Sequence, residues 1–195
     1  MPLTRIIMHW SAGGHKASDL DRKHYHEIVE GDGDRIEGDK LPEANSSTKD
    51  GHYAAHTRRL NTGSIGLAVA AMSGAKERPF RKGKFAITEK QLDVFCEMVA
   101  EYADTYGIEV RRDTVLTHAE VQTTLSVAQN GKWDISWLPD MAKPGNPIEV
   151  GDRLRDMVRD KQKKLGLGSG RGLPTLSGDE FEDRIAGVLS KLLRS

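Results

Sequence analysis

The sequence predicts an α/β fold: a central mixed β-sheet flanked by helices, with one extra helix at the C-terminal end. Three observations carry that expectation. Short runs of β-formers end at turn signals, one pair of such runs is joined as a hairpin, and longer segments repeat their apolar residues with helical period.

The elements follow in chain order. Residues 4–8 are rich in β-formers and run into His9 and the turn signal SAGG, so they read as a strand delivering His9 to its end. Residues 24–29 form a second expected strand, closed by the turn EGDGD and continued by residues 35–37 as the other hairpin arm. Residues 64–72, SIGLAVAAM, are apolar with little alternation, the pattern of a central strand covered on both faces. Thr88 opens the strongest helix: TEKQ fits a capping box, Leu92, Phe95, Cys96, Val99 and Tyr102 share a face, and Gly107 supplies the stop. Residues 113–117, DTVLT, give a short strand ending at His118. A second amphipathic helix starts near Pro147, turns Val150, Leu154, Met157 and Val158 inward, and finishes in KQKK. A glycine-rich stretch then reads as a flexible linker. Beyond it, a capping box from Ser177 to Glu180 and a stripe of Phe181, Ile185, Val188, Leu189 and Leu192 predict a tethered helix. The implied division is a principal domain over 1–165, a linker over 166–176 and a terminal amphipathic helix over 177–195.

A chain of 195 residues accommodates one well-buried domain plus an appendage. Its 29 Lys and Arg balance 29 Asp and Glu, so whole-chain charge gives no argument for a nucleic-acid partner, and none is expected. The single cysteine, Cys96, excludes an internal disulfide and reads as a small core residue. The opening MPLTRIIMHW lacks the apolar region of a signal peptide, and no stretch approaches the roughly 20 apolar residues of a membrane span, so cytoplasmic synthesis is expected. The terminal helix mixes acids and bases on its polar face. That favours docking onto the domain or a second chain over membrane contact.

Among seven histidines, His9 and His118 stand out by position. Each follows a short apolar strand and precedes small or polar residues, so neighbouring strands can bring both imidazoles to one sheet edge. Catalytic zinc keeps three protein ligands and one open position, and Asp134 is the best third candidate. In an extended KWD, residues two apart share a side, which turns Lys132 toward whatever Asp134 binds, where an ammonium stabilises a developing oxyanion. Spacing alone fits equally well a surface Lys and Asp around a buried Trp133. His24 and His26 offer a competing pair without a third ligand. Tyr25 and Glu27 project to the opposite side; Tyr25 reads either as a hydrogen-bonding partner of a metal-bound water or as an ordinary strand aromatic. The acids Glu30, Asp32 and Asp34 lack the glycine and closing glutamate of an EF-hand loop and read as a solvated turn. GLGSGRG follows a polar helix rather than a strand, which argues against a nucleotide site.

With these residues laid out, the chain resembles the zinc amidase family that includes phage-type N-acetylmuramoyl-L-alanine amidases and the peptidoglycan recognition proteins. The matching stations, in order, are IIMHWSA, HYHEIVEGDG, HTRRLNTGSIGLAV, THAEV and GKWD, between Arg5 and Trp137. The resemblance implies Zn2+ held by His9, His118 and Asp134, with Tyr25 and Lys132 as catalytic residues. It places His56 and Asn61, as a weaker transfer, where the family's loops line the glycan-peptide groove. Glu27 falls where relatives carry an apolar residue; it reads as an added acid or base or, the favoured reading, as a residue at the groove rim facing solvent.

The activity implied is hydrolysis of the amide between N-acetylmuramic acid and L-alanine of peptidoglycan. The setting is endolysin-like lysis of the wall, of phage or prophage type, after release or export of the chain by another system. Two rivals accompany it: a peptidoglycan-binding module without turnover, and a cytoplasmic amidase recycling anhydro-muropeptides. The intact residue set speaks against the first. Ala68 stands where recycling members carry a glutamate, which implies catalysis in the tyrosine and lysine manner, and the second rival stays open. Phage-type members use Cys where this chain has Asp134, a substitution zinc accepts. Only SDLDRK lies where the family has a helix before the tyrosine, so that helix is expected to be nearly missing and the groove there open or built from residues 41–53. The segment beyond Trp137 has no counterpart in the family's core.

Overall fold

The computed structural model describes residues 1–168; the terminal helix expected over 177–195, and the linker beyond Gly168, lie outside the described residues. The elements in chain order are β1 (Arg5–Trp10), α1 (Asp19–His24), β2 (Glu27–Val29), β3 (Arg35–Glu37), a 3-10 turn (Pro42–Ser46), β4 (Ser64–Val69), α2 (Glu89–Thr105), β5 (Val115–Thr117), α3 (His118–Leu125) and α4 (Pro147–Leu165). The sheet runs β3-β2-β4-β1-β5, with β2 and β3 antiparallel and the other neighbours parallel.

Alternation along the central strands divides the molecule into two sides. Ile6, Met8 and Trp10 of β1 stand in register with Ile65, Leu67 and Val69 of β4, and pack against Phe95, Met98 and Val99 of α2 and Val150, Leu154 and Val158 of α4. The opposite side carries Ile7 with Leu116 and Val121 of α3, and Ile28 with Ala68, Ala70 and Tyr25. His9 lies between Met8 and Trp10 in β1, so it falls on this second side, near the C-terminal end of the strand.

The capping signal at Thr88 operates as read: its side chain accepts from Gln91 N–H, and the Gln91 side chain returns to the Thr88 backbone. The Gln91 amide also reaches the sheet, donating to the carbonyls of Val29 at 2.8 Å and Ala70 at 3.0 Å. Those carbonyls lie at the end of β2 and just past β4, so the cap docks α2 at the C-terminal ends of these two interior strands.

Several boundaries differ from expectation. Residues 24–29 are not one strand, because Ser18 and Asp21 form a capping box that winds DLDRKH into α1, and β2 begins only at Glu27. The helix expected to be nearly missing is thus present with 6 residues. The central strand stops at Val69, and β1 continues through His9 to Trp10. His118 does not precede a loop but opens α3, where the Glu120 carboxylate accepts from Thr117 N–H at 2.8 Å.

Glu120 also anchors the far end of the sheet. Its carboxylate meets the Arg155 guanidinium at 2.7 and 3.1 Å, Arg155 donates to the Val115 carbonyl at 2.9 Å, and both side chains are at most 1% exposed. The pair fits only because position 151 is glycine: a Cβ there would lie 2.0 Å from the Glu120 carboxylate. α4, α3 and β5 are thereby tied together beneath His118.

Candidate metal centre

β1, the first turn of α3 and the loop after α3 bring His9, His118 and Asp134 together, with ligand atoms all within 4.8 Å of one another. His9 Nδ1 lies 3.0 Å and His118 Nδ1 3.1 Å from Asp134 Oδ2, and the two rings are 4.7 Å apart. All three residues are buried, at 1%, 3% and 6% exposure. Asp134 is held by its own carbonyl, which accepts from Ala119 N–H at 2.6 Å, and by neighbouring Trp133, whose ring meets Trp10 edge-on at 4.6 Å.

The groups behind the two imidazoles set which nitrogen carries the proton. His56 Nε2 faces the Ser64 carbonyl at 3.3 Å, which can only accept, so His56 Nδ1 is left as an acceptor. That nitrogen faces His9 Nε2 at 3.2 Å and the Thr57 hydroxyl at 2.8 Å. His9 Nε2 has two neighbours on that side, the His56 nitrogen and the Thr57 hydroxyl at 3.4 Å. On the other ligand, Gln129 spends its amide N–H groups on the carbonyls of Arg58 at 3.0 Å and Val127 at 3.2 Å, turning its oxygen to His118 Nε2 at 2.9 Å. His118 is thus protonated on Nε2.

Two Nδ1 atoms and a carboxylate oxygen consequently converge in one buried space. Such a cluster can be held by protons on the imidazoles or by a cation, and imidazoles oriented from behind by hydrogen bonds are the usual build of a metal site. The donor set, two nitrogens and one carboxylate, suits zinc. Burial also lowers the His9 pKa to about 4, so this ring is neutral at physiological pH, the form a metal requires.

The remaining expected residues divide. Tyr25, the C-cap of α1, sets its ring 5.2 Å from that of His9; burial, then the charge of Asp134, hold its phenol above the ordinary range, so it stays protonated. Lys132 is exposed, and its charge acts on His9. His56 is buried behind His9, seated on β4 where a Cβ at Gly66 would come within 2.3 Å of the ring. Asn61 positions it: its side-chain oxygen accepts from His56 N–H at 3.0 Å and Thr57 N–H at 2.8 Å.

Glu27 is a correction. It neither lines the site nor faces solvent. It stands in register with Leu67 on the α2 side of the sheet, buried, with its carboxylate on Arg35 at 2.6 and 3.2 Å. The shared side expected for Tyr25 and Glu27 fails because Tyr25 ends a helix and is not in the strand. His24 and His26 do not pair either: His24 is bonded to Leu20 of its own helix, while His26 is buried and accepts from Gly66 N–H. Glu30 and Asp32 lie together, yet the Lys16 ammonium sits on them at 2.6 and 2.7 Å and supplies the cation. Gln129 and Thr57 were missed in sequence. No local pattern marks them, whereas Gly66 inside a central strand was a readable sign of close approach.

Residues 1–140 match the family model described as N-acetylmuramoyl-L-alanine amidase. No curated protein matches. Among solved structures, the chain is similar to N-acetylmuramoyl-L-alanine amidase LysC from Clostridium intestinale URNW, at 13% identity over 86% of this chain and 87% of that one, TM-score 0.43. It is also similar to the endolysine amidase LysCS from the same organism, at 14% identity over 86% and 85%, TM-score 0.43. A third is drosophila peptidoglycan recognition protein SD, at 20% identity over 74% and 86%, TM-score 0.42.

Proposed function

We propose that this chain, which belongs to the N-acetylmuramoyl-L-alanine amidase family, is a zinc hydrolase that cleaves the amide between N-acetylmuramic acid and L-alanine of peptidoglycan in endolysin-like wall lysis. One observation carries the reading. His56 and Gln129 back the two imidazoles and turn both Nδ1 atoms to Asp134, a buried group of two nitrogens and a carboxylate that supports a divalent cation. His9, His118 and Asp134 would hold the zinc.

Bound there, zinc supplies a Lewis acid for the scissile carbonyl and lowers the pKa of water. The chain's own groups do the rest. Tyr25, kept protonated and set beside His9, donates a hydrogen bond to the oxygen on which charge develops. The Lys132 ammonium, two residues before Asp134, adds positive charge at the mouth. The rigid backing of His56, Thr57 and Gln129 keeps the ligands in place without reorganisation. The chain is taken to be made in the cytoplasm and to meet the wall after release or export.

The test uses a defined muropeptide, with products identified by mass. The zinc-loaded protein should release the intact stem peptide, a chelator should stop it, and zinc should restore it. His9→Ala should lose both bound zinc and turnover. Binding of muropeptide without any release would instead make the protein a recognition module, and retained turnover in His9→Ala would remove the metal assignment. Comparing intact sacculi with soluble anhydro-muropeptide separates lysis from recycling.

A further inference from the structure

We propose that the hairpin over residues 76–84 is an anchoring surface for a wall-linked polyanion, a polymer of phosphodiester-joined polyols, distinct from the site that cleaves the amide. The inference rests on the reading of the protein as a wall hydrolase.

Its sequence, KERPFRKGK, sets five cations against one acid. Lys76, Arg78, Arg81, Lys82 and Lys84 are all exposed. Among the described residues the only carboxylate to meet any of them is that of Glu77, 3.9 Å from Arg78, while the Lys84 ammonium lies over the Phe85 ring at 5.4 Å. On α4, by contrast, Arg153, Arg155, Arg159, Lys161 and Lys163 each meet a carboxylate within 3.3 Å. In a chain whose charges balance overall, this one turn is left with a strong positive excess.

The excess is held in place by the fold. Lys76 and Arg81 exchange backbone hydrogen bonds at 2.8 and 2.9 Å, which sets two like charges directly opposite each other, an arrangement that costs stability unless something negative faces it. Gly83 allows the return, since at its φ of +72° a Cβ would lie 2.2 Å from the Ser73 carbonyl oxygen. Phe80 packs on Trp137 at 5.7 Å and Phe85 on His15 at 5.4 Å, so the aromatic residues face inward as anchors and the cations are left outward. Between this hairpin and the loop before α4 lies an open cleft of about 340 Å³, lined by Arg78 and Lys143, by the one acid Glu77, and by Pro79, Phe80, Pro144 and Gly145. A guanidinium and an ammonium above apolar walls suit an anionic group carried on a polyol or sugar.

Position and chemistry choose the partner. Phe80 packs against the α2 and α4 side of the sheet, whereas His9 occupies the other side, so the hairpin flanks the metal centre and does not form it. Stem-peptide carboxylates are few per branch, too sparse to face five clustered cations. A phosphodiester polymer offers one charge per repeat, matching a row of closely spaced cations. A lipid surface would call for outward apolar residues beside the cations, and Phe80 and Phe85 are turned inward.

The decisive experiment compares the full-length protein with Lys76→Gln/Arg81→Gln/Lys82→Gln, three exposed changes away from Phe80 and Phe85, by co-sedimentation with purified walls. The walls are used either intact or after hydrolysis of their phosphodiesters. The unchanged protein should bind intact walls at least tenfold more tightly than stripped ones, and that affinity should fall steeply with salt. The variant should lose at least tenfold on intact walls while turning over a soluble muropeptide at the unchanged rate. Equal binding of the variant, or equal binding to stripped walls, overturns the proposal, as does stronger capture by anionic vesicles or duplex DNA. Loss of soluble-muropeptide turnover in both proteins would instead count against the amidase reading, with wall binding still reporting on the hairpin.

Discussion

The two sides of the sheet are built on opposite rules. Toward α2 and α4 the strands present Ile6, Met8, Leu67 and Val69 to Phe95 and Leu154, and stability there comes from apolar area removed from water. Toward α3 the same strands present His9 and seat His56, with His26 and His118 close by, all buried, so each polar atom must be matched or it costs free energy. The difference teaches that one side is free to be optimised for packing, while the other must find hydrogen-bond partners for a group of buried imidazoles and a carboxylate.

Four measurements break or sharpen that contrast. Phe95→Ala on the apolar side should cost about 3–5 kcal/mol in denaturant unfolding, yet leave zinc stoichiometry of the folded protein unchanged. A loss of zinc there would mean the two sides are not separable. Across the sheet, Tyr25→Phe should lower kcat by about 10²–10³ with little change in thermal stability, as expected for one lost donor at a developing oxyanion; unchanged kcat would reduce Tyr25 to a packing aromatic. Gln129→Leu frees the His118 tautomer and should weaken zinc binding about 10–100-fold in a chelator competition. Equal affinity would show that Asp134 alone orients the ring. Smallest in energy is a labelling test: burial pushes the Cys96 thiol up to about 12, so native protein should resist a maleimide at neutral pH and react once unfolded. Rapid native labelling would show that the α2 core opens readily.

Legibility followed the same division. The apolar side was readable because its signals are local: the period of Leu92, Phe95 and Val99, the capping box at Thr88, the unbroken run of β4. On the polar side His9, His118 and Asp134 were named from strand-end placement and from the ordered resemblance, and the geometry groups the same three. α1 was misread because Ser18 and Asp21 form a short-range cap that competes with the strand signal of residues 24–29. Glu27 was misplaced for the same reason. Once the strand starts at Glu27, that residue turns to the α2 side and to Arg35.

The sequence by itself determined the α/β class, the long helices α2 and α4, and which residue types stand ready for a metal, because periodicity, caps and turns are short-range properties of the chain. Only the tertiary structure decided that His56 backs His9, that Gln129 backs His118, and that Glu27 lies across the sheet from both. His9 and His56 stand 47 positions apart, His118 and Gln129 stand 11 apart beyond the end of α3, and Glu27 meets Leu67 only through the register of β2 with β4. A proton's place on an imidazole depends on whatever acceptor the fold brings behind it, and no local pattern in the chain encodes that acceptor.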